Sequence, residues 1–135
     1  IRDKLVSCSY RFPNKRAEFI VLARKDFSDN LKGLIENKDK FELREYLVNT
    51  VKGLGYKEAS HFLRNVGVKG LAILDKHILR SMNEKGLIAN VPKSLNKNKY
   101  LEHEKILREY SIRENIDFDE LDLIFWSSKT GRVLK

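Results

Sequence analysis

The segment VKGLGYKEASHFLRNVGVKGLAILDKHILR, residues 51–80, constrains the fold more than any other part of the chain. It holds four of the seven glycines, at 53, 55, 67 and 70, and between the two pairs Ala59, Phe62, Leu63 and Val66 recur at helical spacing. Glycines at both ends of an amphipathic stretch mark a helix, Tyr56 to Val66, with a tight turn on each side. The preceding FELREYLVNT, residues 41–50, is also helical by pattern, with Phe41, Leu43, Leu47 and Val48 on near-helical spacing. Beyond Gly70 a short apolar run, Leu71 to Leu74, leads to Asp75. That residue is suited to cap a helix containing Ile78, Leu79 and Met82, which Gly86 would stop.

The remaining sequence extends the same class. After a Pro13-Asn14 break, Ala17, Ile20 and Val21 predict a helix over about 13–26. Residues 28–40 read as a loop or short frayed helix, and 87–98 as a connection. KYLEHEKILREYSIREN carries Tyr100, Leu101, Ile106, Leu107 and Tyr110 on an amphipathic helix of mixed charge. A shorter helix follows over about 118–128, then a turn at Thr130-Gly131. With no internal repeat, low-complexity segment or convincing β-hairpin, the expectation is an all-α fold. At 135 residues, 41% hydrophobic and 34% charged, the chain suits one helix-rich globular domain over 1–135 rather than a disordered polypeptide.

The charge balance narrows the partners. A formal net charge of +8, spread along the chain, favours a polyanion, either nucleic acid or an anionic membrane surface. A charge-rich thermophile surface would look similar. Cys8 is the single cysteine, which excludes an internal disulfide or a cysteine-ligated cluster and fits a reducing compartment. No run approaches the roughly 18 apolar residues of a membrane span, so a soluble cytoplasmic protein is expected. The chain starts at Ile1 and its one methionine is Met82, from which further polypeptide upstream is expected.

Chemistry concentrates in the glycine-punctuated segment. A helix, a G-x-G turn and a second helix leave unpaired N–H groups at the second helix's N-terminus, a site for a phosphate that reads no bases. The same residues also suit a plain helix–helix turn. Lys57 lies on the first turn of that second helix, where the positive dipole end favours the neutral, nucleophilic amine. It could equally be a solvated surface charge. Asp75, at the mouth of an apolar run, can orient a substrate, stabilise a cation or move a proton, or simply cap its helix. His77 beside it is weak evidence for a metal. His103, between two glutamates, reads as part of an exposed face.

GLGYKEASHFLRNVG, LDKHIL, LDLIFW and the terminal lysine together resemble the archaeal-type 8-oxoguanine DNA glycosylase/AP lyases of the helix-hairpin-helix superfamily, along essentially the whole chain. The resemblance implies a helix-hairpin-helix glycosylase fold, with its hairpin at about 41–67, that here lacks the family's N-terminal helices. It implies that apolar surface near Phe12 and the helix at 16–24 is left uncovered. It further implies base-excision repair of double-stranded DNA containing 8-oxoguanine or abasic sites, by a monomer in a prokaryotic, archaeal cytoplasm. By resemblance Lys57 attacks C1′ of a flipped-out nucleoside, displaces the base and forms a Schiff base whose β-elimination cuts the strand. Asp75 positions Lys57 and stabilises the cationic sugar. Gly53, Gly55, His77 and Arg64 contact the DNA backbone, while Trp126, Lys135 and Phe12 recognise the base. No cofactor is required, and a Na or K ion at hairpin carbonyls near Gly53 and Gly55 is the one ion implied. The alternatives are a non-catalytic helix-hairpin-helix DNA-binding module, or a related glycosylase for another damaged base.

Overall fold

The computed structural model describes residues 1–27 and 31–130. These residues form eight helices: α1 (Arg2–Ser7), α2 (Pro13–Phe27), α3 (Leu31–Asn37), α4 (Lys40–Thr50), α5 (Tyr56–Asn65), α6 (Lys76–Glu84), α7 (Lys97–Glu114) and α8 (Phe118–Thr130). The all-α expectation holds throughout them. The chain divides into two compact units, Ile1–Gly55 and Tyr56–Lys135.

In the first unit α1 packs on α2 and α3 on α4. The turn after α1 runs through Ser9 at φ +54°, and its N–H groups close back on α1, Ser9 to the Val6 carbonyl and Tyr10 to that of Leu5. Pro13 then opens α2, where its missing N–H removes no helical bond. Asp39 caps α4 by accepting from the N–H groups of Phe41 and Glu42. Leu43 and Leu47 are buried, whereas Tyr10, Phe12 and Val21 are more than half exposed, in line with the apolar surface anticipated around Phe12 and 16–24. The segment 28–40, read as a loop or frayed helix, contains the seven-residue α3.

Three helices of the second unit, α5, α6 and α7, end where local chemistry tells them to. After α5 the N–H of Gly67 bonds the Arg64 carbonyl and that of Val68 bonds Leu63, a Schellman closure that needs the left-handed φ of +92° at Gly67. Gly86 closes α6 in the same way, and Asn115, at φ +56°, takes the glycine's place after α7. The caps leave the helices free to bury one stripe each. Ala72, Leu74, Ile78, Leu79, Met82, Tyr100, Leu107, Leu121 and Phe125 form one buried cluster, while Ala59 and Leu63 of α5 are fully buried. At about 1.5–3 kcal/mol for each large aliphatic or aromatic side chain, that burial outweighs any single polar contact in the unit.

Candidate active site

The route from α5 to α6 is the least regular part of the second unit and its most tightly held. Residues 70–74 run without helical structure, yet Leu71, Ala72 and Leu74 are buried, so their backbone groups need partners other than water. Side chains supply them. The Asp119 carboxylate accepts from the Gly70 N–H at 2.8 Å, and Arg108 donates to the Gly70 carbonyl at 2.8 Å. Buried Glu104 accepts from the Ala72 N–H at 2.8 Å. The Tyr100 hydroxyl donates to the Ala72 carbonyl at 2.7 Å and lies 3.4 Å from the Leu74 N–H and the Ser60 hydroxyl. A strut held by four side chains thus delivers Asp75 to the start of α6.

Asp75 caps that helix. Its Oδ1 accepts from the N–H groups of His77 and Ile78, at 2.8 and 2.9 Å, and both capping bonds use this one oxygen. Its side chain also lines a cleft of about 340 Å³, together with His61 and Arg64 of α5 and Asp122, Leu123 and Trp126 of α8. Trp126 is half-buried there, while its neighbour Phe125 belongs to the core.

Lys57 stands on the first turn of α5, its side chain about half exposed and its ammonium 2.9 Å from Glu58. Helical geometry puts residues 57, 61 and 64 on one face, flanking the buried stripe of Ala59, Ser60 and Leu63. The cleft is bordered by His61 and Arg64 of that face, and Lys57 lies one turn toward the helix start.

The other anticipated residues fall into three groups. Gly53 is exposed at φ +89°, and a Cβ there would meet the Phe19 ring at 2.4 Å, so glycine is needed on both counts. Gly55 is exposed and takes no positive φ; the freedom expected of both glycines is used by Gly53 alone. His77 is exposed on the first turn of α6. Phe12 is 65% exposed and holds φ at +57°, a strained conformation for a bulky residue. Lys135 lies outside the described residues.

Arg64 is engaged within the protein. It was expected on the DNA backbone, but its guanidinium is ion-paired with Asp122 and donates to the Asp119 carbonyl at 2.7 Å. It ties α5 to α8. His103 and Glu104 also differ from the exposed face expected of them: His103 is half-buried and Glu104 is buried on the Ala72 N–H. The signal was present in the sequence, because Glu104 shares a helical stripe with Tyr100, Leu107 and Ser111, and a carboxylate on an apolar stripe needs a partner.

Among the described residues no group of three or more His, Cys, Asp or Glu could hold a metal ion. A cation at the hairpin would therefore rest on main-chain carbonyls, an oxygen donor set that fits a hard cation such as Na or K. No helix among the described residues is long and apolar enough to cross a membrane.

Comparison with known proteins sets this geometry in a family. Residues 1–116 match the family model described as 8-oxoguanine DNA glycosylase. An 8-oxoguanine DNA glycosylase/AP lyase of Korarchaeum cryptofilum is 51% identical over 133 residues, 98% of this chain and 63% of that protein. One of Methanocaldococcus jannaschii is 48% identical over 136 residues, all of this chain and 65% of that protein. The crystal structure of the M. jannaschii 8-oxoguanine glycosylase/lyase in complex with a 15mer DNA containing 8-oxoguanine superposes with a TM-score of 0.90 at 47% identity, covering 99% of this chain and 64% of that one. The chain thus spans just under two thirds of the length of these relatives. A match of this extent means that the chain belongs to the 8-oxoguanine DNA glycosylase family.

Proposed function

We propose that this chain carries the catalytic segment of a bifunctional base-excision enzyme, which removes 8-oxoguanine from double-stranded DNA and then cleaves the strand at the abasic site. The observation that carries the reading is the placement of Asp75: a carboxylate held by the 70–74 strut in a cleft with Trp126, alongside the helix face that begins with Lys57. Lys57 attacks C1′ of the extruded nucleoside, the base departs, and the resulting imine acidifies the neighbouring position so that β-elimination breaks the strand on the 3′ side. Asp75 orients the amine and offsets the positive charge on the sugar.

Trp126 gives the base an aromatic face, with Phe12 and the terminal Lys135 as further base contacts in the same reading. Gly53 and Gly55 present amides to a phosphate, with a Na or K ion on nearby carbonyls, and His77 contacts the backbone. A monomer acting in the cytoplasm completes the proposal.

Reduction with borohydride tests it. The protein should become covalently linked to a duplex containing 8-oxoguanine, and Lys57→Gln should abolish the adduct while DNA binding persists. One observation favours a second reading, that of a non-catalytic DNA-binding module: the Lys57 ammonium is solvated and paired with Glu58, as a surface lysine would be. Absence of any adduct with the unmodified protein would decide for that module.

A further inference from the structure

His61 is the one titratable side chain of the cleft that the preceding reading leaves without a task. It lies one turn beyond Lys57 on α5, and side chains four residues apart on a helix are neighbours, their Cβ atoms about 5–6 Å apart. Its imidazole is exposed at the cleft, and no hydrogen bond or ion pair among the described residues engages it. The other ionisable groups facing it are already occupied. Arg64 and Asp122 hold each other, Asp75 has one oxygen on the α6 amides, and Lys57 is the nucleophile.

We propose that His61 is a further catalytic residue, the proton carrier of the base-removal step; the proposal rests on Lys57 being the nucleophile. The step balances without a co-reactant. The neutral Lys57 Nζ forms a bond to C1′ while the C1′–N9 bond breaks, its electron pair leaving with the purine. The nitrogen now holds one proton more than the imine can keep, and the departing purine holds one fewer than the neutral base needs. Neutral His61 accepts the proton from Nζ and gives one to the purine, ending neutral as it began. An imidazole suits this transfer because its two ring nitrogens present an acceptor and a donor together.

Two substrates separate this step from the rest of the chemistry. In the natural full-length polypeptide, single-turnover release of 8-oxoguanine is measured beside borohydride trapping on a duplex with a preformed abasic site, where no purine remains to be protonated. His61→Ala and His61→Gln should both slow base release, by about 10²-fold or more for a lost acid–base group. Trapping at the abasic site should stay close to the unmodified rate.

His61→Gln keeps the size and hydrogen bonding of the side chain but cannot carry a proton, so wild-type base release by this variant overturns the proposal. Loss of both reactions together with a lowered melting temperature overturns it in favour of a structural role. If the unmodified protein traps on neither substrate, the glycosylase reading itself falls, a result distinct from failure of the His61 variants alone.

Discussion

Asp75 combines two tasks that a substitution can pull apart. As a cap it holds two amides at the start of α6, and as a cleft residue it would act on the reacting sugar. Asparagine caps helices as well as aspartate does but carries no charge. Asp75→Asn should therefore melt close to the unmodified protein while base release falls by about 10²–10³-fold, the range for a lost electrostatic stabiliser of the transition state. Asp75→Ala should lose activity and also about 1 kcal/mol of stability. Thermal denaturation beside single-turnover kinetics checks both. Trp126 makes a simpler case: it is half-buried at the cleft and outside the core that Phe125 joins, so Trp126→Ala should weaken binding of the lesion by about 1–3 kcal/mol, the worth of one base–aromatic stack, with little loss of fold. An equilibrium titration with lesion duplex measures it.

At the scale of elements, what the sequence revealed depended on how far away the cause lay. The α6 boundaries could be read because Asp75 and Gly86 sit within a residue or two of the ends they set. Helix α1 carries no signal of this kind: its six residues include none that is buried, so no apolar stripe announces it. The 70–74 strut was visible as an apolar run, but its partners Tyr100, Glu104, Arg108 and Asp119 lie 26–49 residues away, beyond any local pattern. The ion pair of Arg64 was hidden for the same reason, its partner Asp122 being 58 residues distant. The strut makes a prediction of its own. Glu104→Ala leaves the buried Ala72 N–H without a partner, and Tyr100→Phe does the same to the Ala72 carbonyl. Each should cost about 1–3 kcal/mol in chemical denaturation, with loss of activity through displaced Asp75. Glu104→Gln retains an accepting oxygen and should lie nearer the unmodified protein.

For the whole molecule the question is what its net charge of +8 is for. A thermophile's ion-pair surface and a DNA-binding surface can share this composition, but they respond differently to salt. Each phosphate neutralised releases counterions, so the logarithm of the binding constant should fall with the logarithm of salt concentration by about 0.9 for every contact on duplex DNA. His77 and Arg80 are exposed on α6, whereas Arg64 is 17% exposed and held by Asp122 and the Asp119 carbonyl. Arg80→Ala should therefore lower the salt slope by about 0.9 and leave the melting temperature nearly unchanged. Arg64→Ala should do the reverse, keeping the slope but costing about 3 kcal/mol, because it leaves the carboxylate of Asp122 enclosed without its counter-charge. Filter binding across a salt series, with denaturation of the same variants, distinguishes the outcomes. A slope near zero for the unmodified protein would assign its excess charge to the surface alone.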